Sequence, residues 1–467
     1  MRSATIPVLT LEPTSTVAQE ISMSITPYPL TCPNRIGGRR GTTFAIVAAV
    51  VVTAIGACSD APTSASTASA ASPSASAGAP GGTTPSNYTV VDLGTLGGPF
   101  SIAFDVNNVG QAVGSALTSD GLQHAVRWYQ GTTTDLGTLG GLNSQASGRN
   151  ESADLAILSD TRDNDPLAED FCALHSGQLC RAARWHDGVL TELPTLGGAN
   201  SVALEINNRS EIVGAAEDGT PDATCMAPQK SHFQAVVWRA DGEIHKLPPL
   251  PGDEVALALK NNDMGQVVGT SGMCSNTIFG GFGLGPHAVL WDHGSPINLG
   301  NLGAPESANV AADINGRGQV VGGAGAPDGS VHPFMWTKAT GMRDLGLMSA
   351  DPADASNTPF AINDRGQMVG SSCDITLATC RGYIWQNGVM TDLNDLVPAD
   401  APLYLISPFG INSDGEITGL AIVKSTGEAH AFLAVPVSGK SDNGTAHVPN
   451  ASRRMSLPPA VRRLLRH

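Results

Sequence analysis

Aromatic residues are scarce in this chain of 467, at 5%, and charged residues make up only 15%. Glycine (54) and proline (31) are by contrast abundant, above the ~7% and ~5% of ordinary domains. Long helices, which tolerate neither residue in their interior, are therefore not expected. No apolar run reaches the ~18–20 residues of a membrane-spanning helix, and mean hydropathy is -0.01, so the body reads as soluble. Basic charge is lacking where a nucleic-acid partner would need it: 87–437 carries 16 Lys/Arg against 38 Asp/Glu. That balance excludes such a partner, because neutralising phosphates takes a basic surface on the folded part. Only the tail 438–467 is basic, with six Lys/Arg against one Asp.

The first segments read as an address and an anchor. Phe44 to Ala57 (FAIVAAVVVTAIGA) is continuously apolar and follows Arg35, Arg39 and Arg40, the order of regions in a secretory signal. Ile55-Gly56-Ala57-Cys58 resembles the bacterial lipobox, which implies cleavage before Cys58 and lipid on its thiol and new amine. Two or three acyl chains would anchor the protein stably. An ordinary signal peptide is the alternative. Residues 1–57 are thus assigned to the signal, with Met23 a more typical start than Met1, and 58–87 to the lipidated cysteine and a linker. All 29 residues from Ser59 to Asn87 are Ser, Ala, Thr, Pro or Gly except Asp60 and Asn87. Such a segment cannot bury enough apolar surface to fold, and as a flexible tether it reaches roughly 30 Å.

Residues 88–437 are built from one unit used seven times, marked by three landmarks in fixed order. The first is an Asn-centred turn before a short apolar run, as in VNNVGQAVG, INNRSEIVG and INDRGQMVG; its asparagines are Asn107, Asn150, Asn207, Asn262, Asn315, Asn363 and Asn412. The second is a run such as HAVRW or QAVVW, ending at Trp128, Trp185, Trp238, Trp291, Trp336 and Trp385, with HAFLA ending at Ala434. All six tryptophans occupy this one position. The third is a DLG-type run with a Leu-Gly turn, DLGTLGG from Asp92 and again from Asp135, then LPTLGG, LPPLPG, NLGNLG, DLGLMS and DLNDLV. Successive Trp-type positions lie 57, 53, 53, 45, 49 and 49 residues apart, the size of one four-stranded propeller blade.

The first DLG run precedes the first Asn turn, while the last Trp-type run has no DLG run after it. A ring resolves the offset, because Tyr88 to Gly94 then completes the blade ending at Val437 and leaves no sheet edge. The expected fold is therefore all-β: a seven-bladed β-propeller of four-stranded antiparallel blades over 88–437, its first segment closing the last blade. The units resemble the HAF-type extracellular repeat of bacteria, whose His-Ala-Phe strand is present as HAFL from His430. The second unit departs from it by lacking the Gly-Gln turn and the seventh by Ala434. The resemblance implies a secreted or surface location and no defined activity.

Residues needed by every unit are explained by the fold, which discounts His124, His287, His332 and His430. Function is expected where units differ. The Trp motif starts 10 or 11 positions after the turn run in units one, five, six and seven, but 24, 20 and 18 positions after it in units two, three and four. Three neighbouring insertions on one face would make a wall beside the channel, the expected surface for a glycan or protein ligand. Cys172, Cys180, Cys225, Cys274, Cys373 and Cys380 lie in these loops. In an exported protein an even number reads as disulfides, and position favours Cys172–Cys180, Cys373–Cys380 and Cys225–Cys274. Zinc is the rival, but C-x-x-C spacing is lacking. Asp160, Asp163, Asp165, Glu169 and Asp170 crowd the second loop; calcium at Asp160, Asp163 and Asp165 is weighed against a solvated acidic loop. No hydrolase, zinc-protease, nucleotide-loop or sialidase motif occurs, so no catalytic residue and no cofactor is assigned.

Function is accordingly expected to be that of an exported, lipid-anchored, monomeric binding or protein-interaction module at the cell surface or in the periplasm, without enzymatic activity. A polysaccharide hydrolase or lyase is the alternative. The tail 438–467 is expected to be disordered, or to lie on the acidic body.

Overall fold

Each Asn turn converts its flanking runs into a hairpin for a local reason. Asn107 Oδ1 accepts hydrogen bonds from the backbone of Val109 (3.2 Å) and Gln111 (2.8 Å), and Gly110 takes φ +75°, open to glycine at no steric cost. The same pair of acceptor bonds recurs at Asn315, from Arg317 and Gln319. The computed structural model describes residues 88–277, 285–305, 308–349, 351, 354–374, 376–437 and 455–464. The signal, Cys58 and the linker lie outside the described residues. The chain divides into Met1–Phe44, which falls outside them, and Ala45–His467, to which all that follows belongs.

Nearly all of the regular structure is strand, arranged in antiparallel groups of four in chain order. The second, third and fourth units, over 144–192, 201–246 and 255–298, are separate four-stranded sheets. Units five and six join in an eight-stranded sheet through one parallel pairing, Val331 with Ser356. Units seven and one join likewise through Phe100 and Ala429. The strand Tyr88–Asp92 adds antiparallel to Ala429–Pro436, with Tyr88 opposite Pro436 and Asp92 opposite Phe432. That is the partner expected for the unmatched first DLG run.

Apolar clusters sit between successive units, and the second and third landmarks supply them. Leu193 and Leu196, from the turn that leaves unit two, pack with Trp238 of unit three. Leu247 and Leu250 do the same with Trp291, Leu136 and Leu139 with Trp185, and Leu93 and Leu96 with Trp128. Trp238 and Trp291 are fully buried, and their indoles donate to the carbonyls of Pro194 (2.8 Å) and Pro248 (2.7 Å). A large ring with its one polar atom paired is the most stabilising way to fill such a gap. In unit seven, where Ala434 stands for Trp, Tyr88 and Phe432 enter the cluster instead; burial pushes the Tyr88 hydroxyl up to about 12.

Every first strand has a register skip shortly before its Asn, at Ala103/Asp105, Ala146/Gly148, Ala203/Glu205, Ala258/Lys260, Ala311/Asp313, Pro359/Ala361 and Pro408/Gly410. A bulge bends a strand and re-aims its side chains. The expectation of a disordered tail does not hold over 455–464. Ser456 bridges to Thr379, Leu457 N donates to Ala378 O (2.9 Å), and Pro459–Leu464 is helical. Leu457 and Val461 are buried with Leu377, Tyr404 and Ile422. The apolar anchors spaced through the basic segment outweigh its charge.

Candidate functional site

The repeated side chains do more than close turns. Asn150 Nδ2 donates to Asn207 O (3.2 Å), Asn207 to Asn262 O (3.1 Å), Asn262 to Asn315 O (3.0 Å), Asn315 to Asn363 O (3.0 Å), Asn363 to Asn412 O (2.9 Å) and Asn412 to Asn107 O (2.8 Å). In these six the oxygen of the amide holds its own turn and the nitrogen holds the next unit. Turn chemistry alone would admit Asp or Ser, so Asn at all seven positions was the available signal for a donor. Three of the repeated histidines pair with the acid of the outer strand, His124 with Asp135 (2.8 Å), His332 with Asp344 (2.8 Å) and His430 with Asp92 (2.9 Å), while His287 pairs with Asp253 (2.9 Å). Arg181 with Glu192 and Arg381 with Asp392 fill the same register. These are cross-strand pairs, and the fold accounts for them.

At the bulge, two residues before the Asn, the units differ. Asp105, Glu205, Lys260 and Asp313 stand there in units one, three, four and five, and Gly148, Ala361 and Gly410 in the others. Lys260 Nζ pairs with Glu205 Oε2, and Arg149 Nε lies 3.5 Å from Asp105 Oδ2. A Cβ on Gly148 would fall 2.4 Å from Glu205 Oε1, so glycine there makes room for the carboxylate. Burial pushes the Glu205 carboxyl up to about 7, against the pull of Lys260. Burial likewise raises Asp313 to about 6, again opposed by Lys260. Burial alone would lower Lys260, but Glu205, Asp105 and Asp313 together hold its ammonium above the usual lysine value. This cluster joins residues far apart in sequence, and charge at one aligned position of a repeat was its signal.

The loops between the second and third strands of the units carry the second set of groups. Cys172–Cys180, Cys225–Cys274 and Cys373–Cys380 are disulfides, with Cα separations of 6.1, 4.3 and 4.2 Å; the pairings are the three that position favoured. Cys225–Cys274 ties unit three to unit four. Asp160, Asp163 and Asp165 are not gathered round a common point. Asp163 is exposed, while Asp160 and Asp165 are buried on separate partners. Asp160 accepts from Asn143 N (3.0 Å), and burial raises it to about 6 against its hydrogen bonds. Asp165 accepts from the backbone of Leu167 (2.8 Å) and Glu169 (3.0 Å) and from Asn200 Nδ2 (3.1 Å).

Two further acids of the wall meet each other. Glu169 and Glu217 are 3% and 0% exposed. Glu169 Oε1 accepts from Lys230 N, and Glu217 Oε2 accepts from Asn200 N (2.7 Å) and Asn200 Nδ2 (3.3 Å). The remaining oxygens, Glu169 Oε2 and Glu217 Oε1, have no donor. Two buried carboxyls facing one another satisfy both by sharing a proton. Burial, then the hydrogen bond and charge of Glu169, push Glu217 up to about 8. Asp222, Cys225 and Cys274 also lie together, but both sulfurs are bonded to each other; Asp222, His232 and Glu254 form another cluster.

No family model matches the chain, and no curated protein matches it. Among solved structures, TolB from Acinetobacter baumannii is 11% identical, with a TM-score of 0.35, over 62% of this chain and 61% of that one. The β-propeller domain of the trilobed protease from Pyrococcus furiosus is 10% identical, with a TM-score of 0.43, over 77% and 96%. A puromycin hydrolase is 12% identical, with a TM-score of 0.44, over 78% and 58%. The chain thus spans about three fifths of the TolB and puromycin hydrolase chains that it resembles.

Proposed function

We propose that this protein is an exported, lipid-anchored β-propeller of seven four-stranded blades that serves as a binding or protein-interaction module at the cell surface, without enzymatic activity. The propeller reading is supported by four-stranded groups in chain order, by the pairing of Tyr88–Asp92 with Ala429–Pro436, and by the chain of amide bonds from Asn150 round to Asn107. Export is supported by three disulfides, which persist in oxidising compartments. The lipid anchor rests on the lipobox before Cys58, and the surface location also on the likeness to the HAF-type repeat.

The observation that carries the binding role is the wall. Three successive units bear long loops, two disulfides brace them, and the repeat itself requires none of this. A glycan or a protein segment is the proposed ligand. A polysaccharide-active hydrolase or lyase is the second reading, suggested by the raised carboxyl of Glu217. Burial keeps that carboxyl from a substrate, which favours binding without turnover. A glycan array with reducing-end assays on each hit separates the readings, since turnover of any hit defeats the binding role. A mass spectrum of the mature N-terminus tests the anchor: an unmodified Cys58 sinks it.

A further inference from the structure

His232 differs from the repeated histidines. They use Nδ1, toward an outer-strand acid for His124, His332 and His430 and toward Asp253 for His287, whereas His232, at the start of the strand Ser231–Trp238, presents Nε2 to Asp222 Oδ2 at 2.8 Å. Glu254, at the start of unit four, completes the group. One donor atom from each of the three lies within 4.8 Å of the others, and all three residues are half-buried.

We propose that Asp222, His232 and Glu254 bind a divalent ion of the zinc class at the seam between units three and four. An imidazole with two carboxylates is a donor set that zinc takes readily and that leaves a position open toward solvent, whereas calcium favours oxygen donors alone. Zinc bonds of ~2.0–2.2 Å place tetrahedral donors about 3.3 Å apart. The His232–Asp222 contact therefore opens by roughly half an ångström while Glu254 closes in.

The supporting backbone is held at the two carboxylates and beside them. Asp222 N donates to Lys230 O (2.9 Å), Glu254 N to Gly272 O (2.9 Å) and Met226 N to Cys274 O (2.8 Å). Asp222 Oδ1 is occupied by Thr224 N (2.7 Å) and Thr224 Oγ1 (2.8 Å), which turns Oδ2 to the histidine. The Cys225–Cys274 disulfide links the loop bearing Asp222 to unit four, and Cys274 N reaches Glu254 Oε2 at 3.4 Å. Preorganisation of this kind lowers the ordering cost of binding. The site stands whatever ligand the wall takes.

The test is a zinc titration by isothermal calorimetry on the mature, chelator-stripped protein with its disulfides intact, at about pH 7.5. The expected result is one equivalent bound and a loss of roughly tenfold or more in H232A and in E254Q. H293A, which removes an exposed histidine paired with its neighbour Asp292, should bind as the parent does. E254Q replaces only one partly exposed carboxylate and keeps the test decisive if H232A misfolds. Absence of saturable zinc binding, or binding unchanged in E254Q, overturns the proposal, as does calcium binding that survives H232A.

Discussion

The Glu169–Glu217 contact makes a quantitative prediction about pH. Glu217 ionises near its ordinary 4.5 in the unfolded chain and at about 8 in the fold. Between those values the native state holds a proton that the unfolded state has released, so stability falls as pH rises. One proton limits the slope to about 1.4 kcal/mol per pH unit, and the window amounts to a loss on the order of 4 kcal/mol. Other buried acids slope the same way, since Asp160 and Asp313 rise to about 6 and Glu205 to about 7. The wild-type profile alone therefore cannot isolate Glu217. E217Q can, because an amide donates permanently to Glu169 while its oxygen still accepts from Asn200. Urea unfolding of both proteins, with disulfides intact, should give similar free energies near the bottom of the window and a growing advantage for E217Q toward its top. Parallel curves across the window would show that no shared proton exists at this contact.

The frame makes its own predictions. Trp238→Ala should cost ~3–5 kcal/mol, read as a lower urea midpoint, because the ring is fully buried between units two and three. Asn262→Asp keeps the acceptor for Met264 and Gln266 but removes the donor to Asn315 O. It should destabilise by ~1–3 kcal/mol, whereas an effect near zero would reduce the inter-unit link to decoration. Replacing Cys225 and Cys274 by Ser opens a loop with a sequence separation of 49 and should cost up to about 4 kcal/mol, measured by denaturation against a reduced control. Removing 438–467 uncovers Leu377, Tyr404 and Ile422 and should lower stability by ~2–4 kcal/mol.

Much of the fold was legible because it is local and repeated. The hairpin at each Asn depends on atoms within four residues, and strand length follows from landmark spacing. The disulfides were legible because two of the three close within a single loop, over separations of 8 and 7. What escaped was contact at a distance in sequence. Glu205 and Lys260 are 55 positions apart, and the asparagine donors reach 48 to 57 positions, or 305 where Asn412 meets Asn107. The acidic second loop shows the same blind spot. Its crowd of carboxylates raised calcium, yet its buried acids answer to Asn143, Asn200, Lys230 and Glu217, none within the loop. The packing of 455–464 escaped because composition averages over Leu457 and Val461, the two side chains buried there.

The repeat supplies the background against which individuality can be measured. Where every unit has the same residue, selection for the frame is a sufficient cause; where aligned positions diverge without keeping the same contact, another cause is needed. Two divergences coincide in units three and four. Glu205 and Lys260 place buried charge at the bulge, and Cys225–Cys274 joins the loops on the opposite side of the same sheets. Gly148, beside Glu205, shows the neighbouring unit shaped to admit that charge. A buried ion pair is a poor way to gain stability, since desolvation offsets most of its attraction. Its presence in the two units that also carry long braced loops therefore points to positioning: the pair fixes the setting of unit three against unit four, and the wall inherits that setting. Exchange of Glu205 and Lys260 for a packed apolar pair should then weaken any ligand of the proposed wall, at a cost in stability because Asp105 and Asp313 lose the same ammonium. Equal binding would confine the charges to the frame after all.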